Sequence, residues 1–193
     1  MIEMLLLCKP GSNLVITADS ASDGRLVDAL VNAAYIKGVN PVALWMPMLK
    51  EVNTEPPPSV AAALKEADII CLLEKVYFIH SIAIREALKR EARADFFGGM
   101  DLDSIVRCIG KINFKAMVEL GNKIVQLIKA GEEMRITTSA ETDLVMQIDP
   151  QRPVFHHKGI ADKLNDITFL GGQIAFEPSE DSINGKIVFD GSL

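Results

Sequence analysis

Residues 14–38, Leu-Val-Ile-Thr-Ala-Asp-Ser-Ala-Ser-Asp-Gly-Arg-Leu-Val-Asp-Ala-Leu-Val-Asn-Ala-Ala-Tyr-Ile-Lys-Gly, decide the fold class. The apolar, β-branched run 14–17 predicts a buried strand. Residues 19–22 then offer oxygens that can cap a helix, and apolar side chains recur at helical spacing over residues 25–37. Gly38 is a natural stop for that helix. The stretch therefore predicts a strand followed directly by a helix.

The same alternation continues along the chain. Apolar runs at 41–46, 68–73 and 94–97 predict three further strands, and the segments between and after them predict helices at 59–67, 79–90, 101–108 and 113–129. Strands without polar alternation that are separated by helices are typical of a parallel sheet covered on both faces. We expect an α/β domain over residues 1–130, with a mostly parallel sheet and helices on both faces.

The pattern changes after Gly131. Alternating runs at 133–138 and 143–148 predict a β-hairpin, and residues 156–166 are interpreted as a loop or short helix. Two more alternating segments, 173–176 and 186–189, are separated by a polar turn that begins at Pro178 and ends with Asn184-Gly185. Residues 131–193 are therefore predicted to form a small β-rich C-terminal appendage.

Charge and hydropathy exclude several classes of protein. The net charge of −6 and the pI near 5.1 argue against nucleic-acid binding, which needs a basic face. The apolar run 4–8 is too short to cross a bilayer, and no basic leader precedes it. Cys8, Cys71 and Cys108 lack metal-type spacing and are expected to be free thiols in a reducing cytoplasm.

Asp19 is the first candidate site residue, because ligands of parallel α/β sheets bind outside the carboxyl ends of the strands. An aspartate there could accept a phosphoryl group, hold a metal or bind a ribose, and it could equally cap the following helix. Glu74 follows another predicted strand and lies at the same expected edge. Neither a glycine-rich dinucleotide loop nor a phosphate-binding loop accompanies them.

No catalytic or metal-binding constellation stands out elsewhere. His156 and His157 are adjacent, so their side chains point in different directions, and we interpret them as solvent-facing loop residues. His80 stands alone, and no serine lies in a nucleophile elbow. Glu177, which lies beside Pro178 with two other carboxylates, is either a solvated turn residue or a ligand-binding residue.

Several segments together resemble the thermophilic metallo-aminopeptidase family (aminopeptidases T and S), whose architecture the 2,5-dihydroxypyridine dioxygenases share. Residues 9–38 resemble the opening of that family. Residues 135–144, Arg-Ile-Thr-Thr-Ser-Ala-Glu-Thr-Asp-Leu, look like its T-S-x-x-G-T-D-L turn, with Glu141 in place of the glycine. Residues 170–178 and 182–192 resemble its P-G-G-E-V-F-x-x-P and G-T-I-x-x-D-G segments.

The resemblance implies an α/β domain joined to the start of a catalytic domain that binds a divalent metal such as zinc or cobalt. The family's glutamate ligand corresponds here to Gln173, whose amide offers an oxygen but no negative charge. The other ligands that the resemblance implies lie beyond this sequence. We therefore expect no catalytic residue, no metal ligand and no cofactor in this chain alone, and we keep Asp19, Gln173 and Glu177 as candidate ligand-binding residues.

Three functions remain open. The chain could be a truncated, aminopeptidase-like protein that acts as a binding or oligomerising domain. It could be a subunit of a metal-dependent aminopeptidase, or a related metalloenzyme, whose remaining ligands come from another chain. It could also bind a small molecule near Asp19 and Glu74. Apolar surface expected near residues 170–193 predicts a homo-oligomer.

Overall fold

The computed structural model describes residues 1–191, so Ser192 and Leu193, at the predicted Gly-Ser end, lie outside the described residues. The helices are α1 (Gly24–Ile36), α2 (Pro58–Lys65), α3 (Ile82–Leu88), α4 (Leu102–Ile105) and α5 (Phe114–Ala130), and a π-helical turn, Val106–Gly110, follows α4. The strands are β1 (Asn13–Asp19), β2 (Asn40–Met46), β3 (Ile69–Leu72), β4 (Arg93–Phe96), β5 (Glu133–Thr137), β6 (Asp143–Gln147), β7 (Val154–His157), β8 (Ile167–Phe169), β9 (Gln173–Phe176) and β10 (Asn184–Lys186).

A five-stranded parallel sheet forms the centre of the α/β part, in the order β2-β1-β3-β4-β8. The four predicted strands and the helices between them are confirmed. The apolar runs of β1, β3 and β4 are largely buried on both faces of the sheet, whereas the edge strand β2 is only partly buried. The predicted α/β fold class is confirmed as well, since small antiparallel sheets follow towards the C-terminus.

The two faces of the sheet bury different partners. On one face, side chains from the strands pack with α2 and α3 in a single apolar cluster, represented by Val15, Leu72 and Ile84. On the other face, α1 buries Leu26, Val27, Leu30 and Ala34. Side chains of a strand alternate between the faces, so Cys71 and Asp95 lie opposite to the Val15 cluster.

Strand β8 is a finding that the sequence did not indicate. Residues 167–169 pair in parallel with β4, with Thr168 opposite Asp95, and extend the central sheet. The run is only three residues long, and long-range pairing rather than local periodicity places it there.

The antiparallel part contains a hairpin and a separate strand pair. The predicted hairpin is confirmed as β5 and β6, and β7 pairs with β9. Ile128, Met146 and Ile148 form a small core with half-buried neighbours from the same region.

Two expectations about the C-terminal third are wrong. His156 and His157 lie in strand β7, not in a loop or short helix. Of the predicted strand 186–189, residues 187–189 are not a strand, and Asn184-Gly185 does not end a turn but lies inside β10, which pairs with β6. Gly185 has φ +124°, and a Cβ there would meet the Asp143 carbonyl oxygen, so only glycine fits.

The chain forms two compact units, one of residues 1–114 and 157–171, the other of residues 115–156 and 172–191 as described. The predicted domain boundary at residue 130 is a different division of the chain, and it stays a prediction. Across residues 1–191, no helix combines the length and the apolar character that a bilayer span requires.

Candidate functional site at the carboxyl edge of the central sheet

The carboxyl edge of the central sheet brings Asp19 and Glu74 together, as their positions after β1 and β3 predict. Both residues are fully buried. The Thr17 hydroxyl donates a hydrogen bond of 2.8 Å to Glu74 Oε2. Thr17 and Asp19 are two residues apart on β1, so both point to the face that holds the Val15 cluster.

Asp19 accepts hydrogen bonds from two loops at this edge, the loop after β1 and the loop after β3. Its Oδ1 accepts hydrogen bonds from the backbone N–H of Ala21 (2.9 Å) and the hydroxyl of Ser22 (3.2 Å). Its Oδ2 accepts from the backbone N–H groups of Lys75 (2.9 Å) and Val76 (3.4 Å). The carboxylate therefore ties the loop after β1 to the loop after β3.

The alternative interpretation of Asp19 as a helix cap is wrong. The N-cap of α1 is Asp23, whose side chain accepts from the Arg25 N–H. Asp23 Oδ2 also accepts from the backbone N–H of Leu102. A ligand-binding role for Asp19 stays a prediction, and its oxygens already have protein donors.

Glu74 is different, because Glu74 Oε1 is buried without a hydrogen-bond partner among residues 1–191. Burial raises the pKa of Glu74 to about 7, and the nearby Asp19 carboxylate adds to the rise. The hydrogen bond from Thr17 and nearby backbone N–H groups oppose it only in part. Glu74 can therefore gain or lose a proton near neutral pH, as groups that bind or transfer protons do.

Tight packing holds the Glu74 backbone. A Cβ at Gly98 would lie 2.6 Å from the Glu74 carbonyl oxygen and would overlap the Phe96 ring. The Phe96 ring makes edge-to-face contacts with Tyr77 and Phe169, at centroid distances of 5.7 and 6.3 Å. Gly98, which the sequence alone did not single out, therefore lets the aromatic residues approach this edge.

A second buried carboxylate, Asp95, was missed by the sequence reasoning. It lies in the middle of β4, and neither of its oxygens has a hydrogen-bond partner within the described chain. Desolvation raises its pKa to about 7. The available signal was an acidic residue inside the apolar run 94–97.

Cys71 lies beside Asp95 in the register of β3 and β4. Burial raises the pKa of the Cys71 thiol well above its usual value, and the Asp95 carboxylate raises it further. Burial likewise raises the pKa of Cys8 to about 11. Both thiols are therefore protonated and unreactive at neutral pH, as expected for structural cysteines.

The other two candidates, Gln173 and Glu177, lie in the unit of residues 115–156 and 172–191. Gln173 begins β9 and is exposed, and Glu177 is exposed just after that strand. Glu177 Oε2 lies 3.8 Å from Nη1 of Arg152, which also lies within 4 Å of Asp149 and Glu180. Glu177 is thus part of a surface ion-pair network.

His156 and His157 are half-buried in a strand and are not solvent-facing loop residues, contrary to expectation. The His156 ring packs against Gly121, where no Cβ would fit, and its Nδ1 lies 3.1 Å from Asn122 Oδ1. The His157 ring contacts the Phe169 ring edge-to-face at 5.6 Å. Adjacent side chains on a strand point to opposite faces, so the two imidazoles do not converge, as predicted.

A divalent cation needs converging ligands, and the described residues do not provide a set. Within residues 1–191, no three histidine, cysteine, aspartate or glutamate side chains are grouped so that they could hold a metal ion. Gln173 supplies only a neutral amide. The residues present do not by themselves fit the metal centre that the resemblance implies.

These features define a class of protein: a parallel α/β sheet with buried carboxylates at and near its carboxyl edge, followed by small antiparallel sheets. Residues 2–192 match the family model of 2,5-dihydroxypyridine 5,6-dioxygenase (NicX), and the chain belongs to that family. The metallo-aminopeptidases, which the sequence resemblance put first, are supported only by a distant likeness of structure.

Two solved structures share the architecture. The 2,5-dihydroxypyridine dioxygenase of Pseudomonas putida KT2440 superposes with a TM-score of 0.64 at 18% identity, over 90% of this chain and 52% of that one. Wild-type AmpT from Thermus thermophilus gives a TM-score of 0.58 at 13% identity, over 95% of this chain and 61% of that one. The chain thus spans about half the length of the dioxygenase structure. No curated protein matches its sequence.

Proposed function

We propose that this chain is a binding and oligomerising member of the dioxygenase family that has no autonomous peptidase or dioxygenase activity. The observation that carries the proposal is Gln173, an exposed amide at the position where the aminopeptidase resemblance puts a carboxylate ligand. An amide cannot offset the charge of a dication or bridge two metals. The binding role is assigned to the carboxyl edge, where Glu74 Oε1 offers an unused polar atom.

Metal titration tests this proposal. Purified chain is titrated calorimetrically with Zn²⁺, Co²⁺, Mn²⁺ and Fe²⁺, and turnover is assayed with leucyl peptides and with 2,5-dihydroxypyridine under air. We expect neither stoichiometric micromolar binding nor product. Binding of one metal equivalent together with turnover of either substrate overturns the proposal.

Two variants separate the contributions of residues 173 and 177. Gln173→Glu restores a carboxylate, and Glu177→Gln removes the exposed one next to the same strand. If the chain lacks the companion ligands, metal affinity stays weak in both variants. A large gain of affinity in Gln173→Glu alone shows that the companions are present and that the amide is the only defect.

A second candidate is a subunit of a metal-dependent enzyme, with the remaining ligands supplied by another chain. The family match and the coverage of about half of the dioxygenase structure favour it. Affinity purification from the native cell, followed by metal analysis of the complex, tests it. A complex that contains metal and turns over substrate supports this candidate, and a homo-oligomer with neither counts against it.

The binding role is tested by thermal shift against metabolite classes. Ligands that act through Glu74 raise the melting temperature of the natural chain and lose that effect in Glu74→Gln. The matched control is Glu66→Gln, because Glu66 has a largely exposed side chain that pairs with Arg90. Stabilisation that persists in Glu74→Gln places the ligand elsewhere.

Self-association is part of the proposal. Ile183, Ile187 and Phe189 expose between 51% and 68% of their surface in the C-terminal segment, which supports the predicted apolar contact area. Light scattering over a range of concentrations is expected to show a dimer or larger homo-oligomer. A monomer at every concentration removes the oligomerising role and leaves the metal question untouched.

A further inference from the structure

The outer edge of strand β2 forms an uncharged edge of the central sheet. β2 is the terminal strand in the order β2-β1-β3-β4-β8, and it is seven residues long. Residues 40–49, Asn-Pro-Val-Ala-Leu-Trp-Met-Pro-Met-Leu, contain no charged side chain. Val42 is 50% exposed and Trp45 is 51% exposed. Edge strands of natural proteins are usually protected by charges, prolines, bulges or short length, and of these β2 has only the prolines at positions 41 and 47.

The opposite edge of the same sheet shows such protection. β8 has only three residues, and Asp162, Lys163 and Asp166 lie in the segment just before it. A short strand beside charged residues resists pairing with another chain, whereas β2 has neither feature. The two edges of the sheet therefore differ in length and in charge.

The direction of the β2 backbone groups follows from one hydrogen bond. The Asn40 N–H donates to the Ser12 carbonyl oxygen at 2.8 Å, and Asn40 stands opposite Asn13 in the parallel pair. In a parallel pair, the N–H and C=O of one residue face the same neighbour, and successive residues alternate. The even-numbered residues of β2 therefore face β1, and the odd-numbered residues face outward.

The outward positions are Pro41, Ala43, Trp45 and, just past the strand, Pro47. Proline has no N–H, and it is tolerated in a sheet where that group would face away from a neighbouring strand. The outward N–H groups of this stretch therefore belong to Ala43 and Trp45, and the two prolines bracket them. Within residues 1–191, β2 has no strand on this side.

We propose that two copies of this chain pair through antiparallel β2 strands, which joins their central sheets across a two-fold axis. An axis at Leu44 sets Ala43 opposite Trp45 of the second copy. Each copy's outward N–H groups then meet the outward carbonyl oxygens of the other, and the prolines face one another where no donor is needed. Since both strands are uncharged, this pairing brings no like charges together.

The side chains suit the same register. Trp45 lies opposite the small Ala43 of the second copy on one face of the sheet, and Val42 lies opposite Met46 of the second copy on the other. An isologous contact of this kind closes on itself and gives a dimer rather than a fibre. This inference rests on the proposed self-association and adds the β2 edge to it as a contact surface, beside the apolar C-terminal segment.

The experiment compares two matched variants. Val42→Lys places a charge on the β2 edge, and Val52→Lys places the same charge at a turn residue that is 52% exposed. Sedimentation velocity at micromolar concentrations is combined with circular dichroism to confirm folding. We expect Val42→Lys to self-associate at least about tenfold more weakly, which is roughly 1.4 kcal/mol, and Val52→Lys to resemble the natural chain.

Amide hydrogen exchange of the natural chain supplies a readout that does not depend on any variant folding. We expect the Ala43 and Trp45 amides to be protected at high concentration and to lose that protection on dilution. Fast exchange of both amides at every concentration overturns the proposal. Ile183→Lys tests the C-terminal apolar segment as the competing surface. Self-association that this variant abolishes and Val42→Lys leaves intact overturns the β2 interface but upholds an oligomer, and a strict monomer refutes both.

Discussion

Two buried carboxylates of one compact unit and a surface carboxylate of the other have opposite environments. In the unit of residues 1–114 and 157–171, Glu74 and Asp95 are fully buried, and burial raises the pKa of each to about 7. In the other unit, Asp143 lies at the surface, where its hydrogen bonds to Arg135 lower its pKa. Because Glu74 and Asp95 are costly to ionise where they are buried, their contribution to the free energy of unfolding depends on pH. The pair of Asp143 with Arg135 is solvated and weak.

This difference teaches where to look for function. Surface ion pairs contribute little to stability and are common on any protein. An ionisable group that is buried without a full set of partners is costly, so such groups concentrate at sites that handle protons or ligands. Glu74 meets both conditions of a site, since it is perturbed and lies at the carboxyl edge of a parallel sheet.

The sign of the pH effect follows from the raised pKa values. The native state favours neutral Asp95 and Glu74, so their stabilising contribution is complete below the unfolded pKa values of 3.8 and 4.5. That contribution is lost as the pH rises through about 7. The natural chain should therefore be less stable at pH 8 than at pH 5.

The largest effect is expected for Asp95→Asn. An uncharged amide removes the cost of ionising a buried group, so the loss of unfolding free energy between pH 5 and pH 8 should shrink by on the order of 3 kcal/mol. Urea unfolding at the two pH values measures it. Parallel pH profiles for the variant and the natural chain would show that Asp95 ionises without cost.

Glu74→Gln should give a change in the same direction and nearly as large. The native pKa of Glu74 is also about 7, and its ordinary value of 4.5 also lies below pH 5. We expect the pH-dependent loss to shrink by about 2.5 kcal/mol in the same urea experiment. An unchanged pH-dependent loss would show that Glu74 ionises without cost.

Thr17→Val tests the partner of Glu74. Loss of the 2.8 Å hydrogen bond should destabilise the protein by about 1 kcal/mol at pH 5 and raise the pKa of Glu74 further. A carbon-13 NMR titration of the glutamate carboxyl groups measures that pKa. Thr168→Val is the matched control, because Thr168 donates to the Ile160 carbonyl oxygen and should leave the Glu74 titration unchanged.

Asp143→Asn should give the smallest effect. Its pair with Arg135 lies in water, where screening and side-chain entropy offset the attraction. We expect a melting temperature within the repeatability of the measurement and an unchanged pH profile. A marked loss of stability would mean that the two units do not differ in the way described.

The central sheet was predictable because its signals are local. Apolar runs such as 14–17 and the helical spacing in residues 25–37 can be recognised within a few residues, without knowledge of the tertiary structure. The hairpin of β5 and β6 was predictable for the same reason. By contrast, β8 and β10 are three residues long and exist through partners far away in the chain, at Asp95 and Asp143.

The candidate site was likewise predictable only where local sequence signals indicate it. Asp19 and Glu74 could be placed at one edge because strand ends of a parallel sheet share that edge. The roles of the two could not be separated, since the hydrogen bonds of Asp19 come from loop residues whose positions depend on the whole fold. Asp95 escaped notice because its burial requires neighbours on both sides and helices above.

The sequence by itself determined the α/β class, the edge at which Asp19 and Glu74 lie, and the amide at residue 173. Each of these follows from a local sequence pattern or from the identity of a single residue. The tertiary structure alone decided that Asp19 is fastened by loop donors and that Glu74 and Asp95 are held without enough partners. It also showed that the uncharged strand β2 ends the sheet. Burial and hydrogen bonding are properties of surroundings assembled from distant segments, and no single stretch of chain specifies them.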